Sequence, residues 1–456
     1  MARYDAIIIG TGQAGPALAG RLTEAGMKVA IIERGRFGGT CVNTGCIPSK
    51  TLIASAHAMH LARRGAEFGF EPAAARADMK RVKARMEEVS GKSRSGVEAW
   101  LEGMPNCRVI RGHARFAAPR EIVVEGERLE SERVFLNVGG RAKTSGVRGI
   151  DEVPYHTNSS MMGVDFLPER LIIVGGSYVG LEFAQMYRRF GAEVTVIEMG
   201  PRLCQREDED VSAAITEFLA HEGVEVRTGA KCLSAKKDGR GVALDLSCEA
   251  GAPLARGSHL LLAIGRRPNT DDLGLDKAGV EVDQRGYIIV NDALETSAPG
   301  VWALGDCNGR GAFTHTAYND YEIVAENLLD NAGRRVTDRI PAYCLYIDPP
   351  LGRAGMSETE ARRAGKRILL AKREMSRVGR AVEKGEAQGF LKIVVEAESR
   401  RLLGACLLGT GCDEAVHCLL DLMYAGGTSE TLRRAMHIHP TVSELLPTLM
   451  GELKEG

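Results

Sequence analysis

The sequence has little that would draw the chain to a membrane or to nucleic acid. Its 59 Lys and Arg residues stand against 60 Asp and Glu residues, which leaves a net charge of −1. This balance gives no electrostatic reason to expect binding to nucleic acid or to an anionic membrane surface. No apolar run approaches the roughly 18 residues that a membrane-spanning helix needs. We therefore expect neither kind of partner.

The first residues also lack the pattern of a secretory signal. Arg3, Tyr4 and Asp5 lead directly into the apolar run from Ala6 to Ile9, which is typical of a strand and not of a signal peptide. The 11 cysteines are odd in number, and an odd set without a signal argues for a reducing compartment. These features predict a cytoplasmic protein.

Length and composition favour several α/β domains. A chain of 456 residues exceeds what one hydrophobic core serves, so we expect about two to four domains. An apolar fraction of 44% with 54 glycines fits a soluble α/β protein that has many tight turns.

A dinucleotide-binding pattern opens the chain. The apolar strand from Ala6 to Ile9 is followed by a glycine turn and a helix, and a second apolar strand ends in Glu33. The glycines of the turn are Gly10, Gly12 and Gly15. They let the backbone approach a pyrophosphate at the helix N-terminus, and Glu33 is placed to hold a ribose hydroxyl pair.

The same pattern recurs in the middle of the chain. Leu171 to Val174 is apolar, the run Gly175-Gly176-Ser177-Tyr178-Val179-Gly180 follows, and the next strand ends in Glu198. Glu198 lies 23 residues after Gly175, as Glu33 lies 23 residues after Gly10. Two copies at the same offset predict two nucleotide sites.

The run from Gly38 to Lys50 carries the most distinctive pattern. Cys41 and Cys46 enclose four residues, and Pro48 suits the first turn of a helix. Cys46 would then lie at or just before the helix N-terminus, where the dipole favours a thiolate. Lys50 follows one turn later on the same face. The remaining cysteines are expected to be small buried hydrophobes.

This run resembles the redox-active disulfide motif of the class I pyridine nucleotide–disulfide oxidoreductases, the flavoprotein family of dihydrolipoamide dehydrogenase, glutathione reductase and mercuric reductase. The resemblance implies an enzyme in which the first nucleotide site holds FAD and the second holds a nicotinamide. It also implies a disulfide between Cys41 and Cys46, with Cys46 next to the flavin and Cys41 meeting the substrate. Gly39, Thr40 and Lys50 are then FAD neighbours, and Lys50 pairs with Glu182.

Further segments carry the same resemblance. The run Thr296 to Asp306 resembles the second FAD motif, whose terminal Asp306 binds the ribityl chain, and Thr314 opens a helix aimed at the flavin. Gly112 and His113 fall where family members lay backbone against the adenine. Gly265 begins a segment that resembles the end of the nicotinamide domain, and Tyr178 matches the residue that covers the empty nicotinamide pocket. Asn137 stands where the family has Ala-Thr-Gly, a departure expected to leave the chemistry untouched.

The C-terminal part resembles the family's interface domain. Strands are predicted around Ala342 to Ile347, Arg367 to Lys372 and Phe390 to Glu396, with helices from Asp413. The run His439-Pro440-Thr441-Val442-Ser443-Glu444 matches the family's acid–base dyad, in which His439 moves the proton and Glu444 orients it. The resemblance implies a homodimer in which His439 serves the cysteines of the other subunit. His437 lacks this context and is expected to be structural.

The fold class that follows is α/β, with two Rossmann-like units and a C-terminal α+β dimerisation domain. We divide the chain into an FAD-binding domain (1–150, completed by 273–340), an NAD-binding domain (151–272) and an interface domain (341–456). Glu198 favours NADH, because a carboxylate suits a free ribose 2′-hydroxyl and repels a 2′-phosphate. Arg202 is the nearby feature that would tolerate NADPH.

The substrate stays open at this point. The pair Ser49-Lys50 resembles that of the lipoamide and mercuric enzymes, and the segments 41–46 and 56–61 resemble mercuric reductase. The last residues, however, lack the paired cysteines that deliver mercury to the active site of that enzyme. Thiolates of this kind bind soft metals readily. The alternatives are an NADH-dependent disulfide or soft-metal reductase, a dihydrolipoamide dehydrogenase, and a non-catalytic redox-sensing flavoprotein. No resident metal site is expected.

Overall fold

The structure is a computed structural model that describes residues 1–72, 74–247 and 252–456. It is mixed α/β, as the sequence predicts. The strands, in chain order, are Ala2–Tyr4 (β1), Ala6–Ile9 (β2), Val29–Glu33 (β3), Cys107–Arg111 (β4), Arg115–Ala118 (β5), Glu121–Val124 (β6), Glu127–Ser131 (β7), Val134–Leu136 (β8), Gly140–Ala142 (β9), Arg170–Val174 (β10), Glu193–Ile197 (β11), Glu225–Arg227 (β12), Lys231–Asp238 (β13), Gly241–Ser247 (β14), Leu254–Gly257 (β15), His259–Leu262 (β16), Arg266–Pro268 (β17), Val301–Ala303 (β18), Ala342–Leu345 (β19), Leu351–Gly355 (β20), Ile368–Glu374 (β21), Phe390–Glu396 (β22), Leu402–Leu408 (β23) and Lys454–Glu455 (β24).

The α-helices connect and cover these strands. In chain order they are Ala14–Glu24 (α1), Gly39–Asn43 (α2), Cys46–Arg63 (α3), Met79–Glu102 (α4), Asn158–Met161 (α5), Tyr178–Phe190 (α6), Glu209–His221 (α7), Leu275–Ala278 (α8), Thr314–Asp330 (α9), Glu358–Arg363 (α10), Gly379–Glu383 (α11), Cys412–Tyr424 (α12), Ser429–Arg433 (α13) and Leu445–Leu449 (α14).

The first glycine turn belongs to a five-stranded parallel sheet in the order β18-β8-β2-β3-β4. All four residues of β2 are buried. A parallel strand that is covered on both faces needs apolar side chains on both, and this explains the continuous apolar run from Ala6 to Ile9. The strand β18 comes from the Thr296–Asp306 region and pairs with β8. The second FAD-like motif is therefore brought to the same sheet as the first.

The second glycine turn lies in a sheet of the same construction. Strand β10 pairs in parallel with β11 on one side and with β16 on the other, in the order β12-β11-β10-β16. Helix α6 follows β10 as α1 follows β2. Both predicted strand–turn–helix units are thus present.

The β-meander predicted from Arg108 to Gly140 is only partly right. Strands β5, β6 and β7 do form an antiparallel set, and β1 pairs with β7 at its edge. Strands β4 and β8 instead join the parallel sheet. The three residues of β8 are apolar and fully buried, as a strand covered on both faces requires and a half-exposed meander strand does not.

The C-terminal part is built on a six-stranded sheet in the order β19-β20-β23-β22-β21-β24. The predicted strands are found as β19, β21 and β22, whereas β20, β23 and β24 have no counterpart in the sequence interpretation. Strand β20 has the sequence LGRAG and is buried throughout. Two glycines and an arginine interrupt its apolar residues, so the sequence of β20 does not have the apolar pattern of a buried strand.

A shared core joins the second nucleotide-binding unit to the C-terminal sheet. One hydrophobic cluster includes Leu52 of α3, Val196 of β11 and Leu345 of β19, all buried. Beside it, the buried Lys392 of β22 lies 2.9 Å from Asp208 and 2.9 Å from Asp210. These carboxylates lie just before and within the start of α7, so the two parts are joined by apolar and ionic contacts.

This topology supports the four-segment division given above, which we propose for the chain. Within the described residues, no helix combines the length and the apolar character required to span a bilayer. Of the cysteines other than Cys41 and Cys46, four are buried and four are half-buried, namely Cys204, Cys307, Cys406 and Cys412 in the first set and Cys107, Cys232, Cys344 and Cys418 in the second. Cys248 lies outside the described residues.

Candidate active site

One large cavity of about 1940 Å³ connects the two glycine turns. Its walls include Gly10 and Glu33 at the first turn, Gly175 and Glu198 at the second, and also Cys46. The volume exceeds the roughly 300–1,000 Å³ that is typical of a site for one drug-sized ligand. Two nucleotides can therefore approach one another within this cavity.

The first turn has the shape of a phosphate-binding backbone. A Cβ on Gly15 would lie 2.3 Å from the Gly10 carbonyl oxygen, so the helix α1 can approach β2 only with glycine there. Glu33, at the end of β3, accepts hydrogen bonds from the Thr11 amide at 3.0 Å and the Thr11 hydroxyl at 2.6 Å. Its carboxylate is thus held beside the turn, and Gly39 also lines the cavity.

Asn137 organises this turn, although the sequence interpretation gave it no role. Its side-chain oxygen accepts from the Gly15 amide at 3.0 Å, and its side-chain nitrogen donates to the Leu304 carbonyl at 3.0 Å. The residue is buried. One amide therefore joins the first glycine turn to the strand end before Asp306.

The residues around this turn fit FAD. The Arg266 guanidinium lies 3.2 Å from Asp306 and 3.5 Å from Thr40, so a cation, a carboxylate and a hydroxyl face the cavity together. Such a set can hold a pyrophosphate and the hydroxyls of a ribityl chain. Gly112 and His113 line the same cavity. Arg266 was missed because its partners are far away in sequence.

The second turn repeats the first. A Cβ on Gly180 would lie 2.0 Å from the Gly175 carbonyl oxygen. Glu198 accepts from the Gly176 amide at 2.7 Å and from the Gly200 amide at 2.7 Å. Tyr178, Val179 and Gly265 line the cavity beside this turn. The repeated geometry fits a second dinucleotide.

The two cysteines lie in successive helices. Cys41 is within α2, and Cys46 is the first residue of α3. The Cys46 sulfur lies 3.0 Å from the hydroxyl oxygen of Thr314, which is the first residue of α9. Two helix N-termini therefore meet at Cys46, which places positive partial charge around its sulfur.

The environment separates the acidities of the two thiols. The contact with Cys41, helped by Thr314 and Lys50 and opposed by burial, lowers the pKa of Cys46 to about 6. The same contact raises the pKa of Cys41 above its usual value, and burial raises it again. In the dithiol form, Cys46 is thus the thiolate and Cys41 keeps the proton.

Lys50 and Glu182 form an ion pair across two helices. The Lys50 nitrogen lies 2.7 Å from one Glu182 oxygen and 2.9 Å from the other. The Tyr346 amide donates to Glu182 at 3.1 Å, and the Tyr346 ring lies 4.6 Å from the Lys50 nitrogen. The structure therefore brings this predicted pair together and fixes a cation one helical turn from Cys46.

His439 and Glu444 also lie together. The His439 Nδ1 atom is 2.8 Å from a Glu444 oxygen, and the His439 side chain is 82% exposed. His437 instead contacts the Ser443 carbonyl at 2.6 Å. The dyad lies on the surface of the subunit, whereas the cysteines line the cavity between the two glycine turns.

Comparison with known proteins agrees with this geometry. A sequence model described as pyridine nucleotide-disulphide oxidoreductase matches residues 4–320. A second, described as the dimerisation domain of the same proteins, matches residues 341–450. The second match indicates a homodimer.

Similar proteins span nearly the whole chain. A dihydrolipoyl dehydrogenase of Thermus scotoductus is 36% identical over 97% of this chain and 96% of its own length. A probable pyridine nucleotide-disulfide oxidoreductase, RclA, of Escherichia coli is 34% identical over both whole chains. A mercuric reductase of Streptomyces lividans is 32% identical over 97% of this chain and 94% of its own.

The solved structures give the same result. The HOCl-induced flavoprotein disulfide reductase RclA from Escherichia coli superposes with a TM-score of 0.90 at 33% identity, over 98% of this chain and 99% of that one. A Cu(II) complex of RclA also superposes with a TM-score of 0.90. The chain therefore belongs to the class I pyridine nucleotide–disulphide oxidoreductase family, enzymes that use FAD and NAD(P)H.

Proposed function

We propose that the chain is an NADH-dependent reductase that delivers two electrons through Cys41 and Cys46 to a small disulfide or a soft metal ion. The observation that carries this proposal is that Cys41 and Cys46 line one cavity that reaches both glycine turns, with the Thr314 hydroxyl 3.0 Å from the Cys46 sulfur. The opposite pKa shifts of the two thiols support it. A thiolate at Cys46 and a protonated Cys41 are what a dithiol needs to act in sequence. We place the activity in a reducing compartment such as the cytoplasm.

The two cysteines have different roles in the proposed reaction. When bound, FAD supplies a two-electron carrier between the nicotinamide and the cysteine pair. The Cys41 thiolate attacks one sulfur of the substrate disulfide and releases the first thiol. The Cys46 thiolate then attacks Cys41, the second thiol leaves, and the Cys41–Cys46 disulfide forms again. The sum is NADH, one proton and one disulfide giving NAD⁺ and two thiols.

His439 is assigned the proton transfer in this sequence. Cys41 must lose a proton before it attacks, and Glu444 at 2.8 Å orients an imidazole that can accept it. The high exposure of His439 supports a role at the neighbouring subunit. The proposed catalytic site is thus shared between two subunits.

Mixed dimers test this sharing. Dimers of Cys41→Ala alone and of His439→Gln alone should both be nearly inactive. In a dimer that contains one of each, one site carries both changes and the other carries neither. Random mixing should therefore restore about a quarter of the wild-type activity in a symmetric dimer. Absence of any recovery in mixed dimers of verified composition would place His439 and Cys41 in the same subunit.

The nicotinamide site supports NADH over NADPH. The Glu198 carboxylate stands at the end of β11, where it favours a ribose 2′-hydroxyl. Arg202 donates to the Gln205 and Glu207 carbonyls, both at 3.3 Å, and is not among the residues that line the cavity. Steady-state kinetics should give a higher kcat/KM with NADH than with NADPH, and the reverse order would contradict the assignment.

Two relatives support the substrate class. The RclA structures include a Cu(II) complex, and the Streptomyces lividans relative is a mercuric reductase. Both names refer to those proteins, and they support a thiol-binding metal ion or a disulfide as the acceptor here. With a copper acceptor the balance is NADH and two Cu²⁺ giving NAD⁺, two Cu⁺ and one proton.

A dihydrolipoamide dehydrogenase is the second candidate, because the Thermus scotoductus relative carries that name at 36% identity. One purified holoenzyme sample separates the two. We expect NADH oxidation with small disulfides, Cu²⁺ or Hg²⁺, and we expect the Cys41→Ala and Cys46→Ala variants to lose it. Rapid NAD⁺ reduction by dihydrolipoamide, with no turnover of the other acceptors, would make the chain a dehydrogenase.

A further inference from the structure

A buried carboxylate lies behind the nicotinamide side of the cavity. Glu207, between β11 and α7, is 2% exposed. Its Oε1 atom accepts from the Tyr343 hydroxyl at 2.7 Å, and its Oε2 atom accepts from Arg353 Nε at 3.1 Å. Arg353 is itself 2% exposed and comes from β20. Two residues of the C-terminal sheet therefore fix Glu207 in place.

The same carboxylate reaches Tyr178. The Tyr178 hydroxyl lies 3.4 Å from Glu207 Oε1, a long hydrogen bond to the oxygen that Tyr343 also uses. The Tyr178 ring packs 5.4 Å from the Tyr343 ring and 6.4 Å from the Phe313 ring. The ring is thus held by two aromatic neighbours and the hydroxyl by Glu207, while Tyr178 itself lines the cavity.

Both hydroxyls act as donors. Burial raises the pKa of Tyr178, and the nearby Tyr343 and Glu207 raise it further. Burial also raises the pKa of Tyr343. Neither phenol ionises in the ordinary pH range, so the carboxylate keeps its donors under assay conditions.

We propose that Glu207, clamped by Arg353 and Tyr343, is a latch that holds Tyr178 in the position that closes the nicotinamide pocket. Glu207 is a positioning residue, because it acts on the nucleotide only through Tyr178. This inference rests on the proposed function, in which NADH is the reductant, and on the family resemblance, which implies that Tyr178 covers the empty nicotinamide pocket. Opening the pocket then breaks the Tyr178–Glu207 hydrogen bond.

The latch sets the apparent affinity for NADH. When a site is open only part of the time, the apparent Kd equals the Kd of the open site divided by the fraction of molecules in which the site is open. Removing the Tyr178 hydroxyl while keeping its ring removes the hydrogen bond from the closed state and costs the open state nothing. For one long hydrogen bond we expect Tyr178→Phe to lower the Kd for NADH by about three- to tenfold.

Rapid mixing of the oxidised holoenzyme with NADH tests this expectation. The rate of flavin bleaching against NADH concentration gives a Kd and a limiting rate separately. Tyr178→Phe should lower the Kd and leave the limiting rate within about twofold of the wild-type rate. A change in Kd without a change in the limiting rate indicates altered access of NADH to the pocket, and not altered hydride transfer. Glu207→Gln keeps an acceptor oxygen but weakens it, so its Kd should lie between those of the wild type and Tyr178→Phe.

Two further variants sharpen the result. Tyr187→Phe removes a hydroxyl from the same helix, where the ring packs against Phe183 and Phe190, and it should leave the Kd unchanged. In the double variant of Tyr178→Phe with Glu207→Gln, the second change should add nothing to the Kd, because the two residues act as one unit.

The outcomes separate the latch from the proposed function. Flavin reduction in all variants with the same Kd for wild type and Tyr178→Phe would overturn the latch and leave the reductase intact. An increased Kd in Tyr178→Phe, or an additive effect of Glu207→Gln, would also overturn it. A wild-type flavin that NADH does not reduce would contradict the proposed function itself. Bound FAD per subunit verifies that each variant is folded.

Discussion

Replacing Cys41 by alanine should raise the pKa of Cys46. The contact with Cys41 is the largest influence that lowers this pKa to about 6, and alanine removes it. A hydrogen bond to a charged group contributes about 1.5–3 kcal/mol, and 1.36 kcal/mol corresponds to one pKa unit, so we expect a rise of roughly one to two units. Because Cys46 is exposed, the lower end applies, and the expected pKa is about 7.

Alkylation by iodoacetamide reports this change, since only the thiolate reacts. Wild type and Cys41→Ala are treated as holoenzymes with the same phosphine, so that the cysteines are thiols in both, and labelled between pH 5 and 9. Peptide mass spectrometry then follows Cys46 alone. At pH 6 the wild type should react at about half of its own limiting rate and the variant at about a tenth of its own, whereas at pH 8 both should be within about a tenth of their limits.

Cys344→Ala is the matched control, because Cys344 lines the same cavity but contacts the Asp413 carbonyl at 3.7 Å. Its Cys46 profile should coincide with that of the wild type. The reasoning would be refuted by a wild-type midpoint near 9, or by a Cys41→Ala profile that overlies the wild type. A profile that shifts equally in both variants would show a general effect of cavity volume.

Three further changes test other parts of the site. Lys50→Met should raise the Cys46 midpoint in the same alkylation assay, because it removes a cation that lowers the pKa; an unchanged midpoint would contradict this. Gly15→Ala should abolish FAD retention, because the added Cβ would lie 2.3 Å from the Gly10 carbonyl oxygen. Gly180→Ala should keep FAD and lose NADH binding, because its Cβ would lie 2.0 Å from the Gly175 carbonyl oxygen at the second turn. Loss of both nucleotides in both variants would contradict separate sites. His439→Gln should slow disulfide turnover by about 10²–10⁴-fold and leave flavin reduction by NADH unchanged in stopped-flow, and equal slowing of both steps would reject its role.

Local patterns made part of the fold predictable. The two strand–turn–helix units, the helix that starts at Cys46 and the strand at Phe390–Glu396 all depend on residues close in sequence. Strand β20 was not predicted, because glycine and Arg353 interrupt its apolar character and its burial comes from neighbouring strands. The meander was assigned too widely for the same reason, since alternation alone does not tell which sheet a strand joins.

In the candidate site, too, contacts between residues close in sequence were predictable and contacts between distant residues were not. Cys46 and Lys50 are one helical turn apart, so their proximity follows from the sequence. Arg266 meets Thr40 from 226 positions away, and Asn137 reaches the Leu304 carbonyl across 167. Such contacts depend on how the sheets are assembled, and no spacing in the sequence reports them. Glu207 was missed for the same reason.

The contacts between the second nucleotide-binding unit and the C-terminal sheet have a consequence for how the molecule comes apart. Lys392 is 3% exposed and lies against two carboxylates of the other unit, so separating the units would leave its ammonium group with only the more distant Glu358 carboxylate, at 3.4 Å. Leu52, Val196 and Leu345 would lose their shared apolar surroundings at the same moment. Heating should therefore melt these two regions together in a single calorimetric peak, and a protease should find no stable fragment that ends between them.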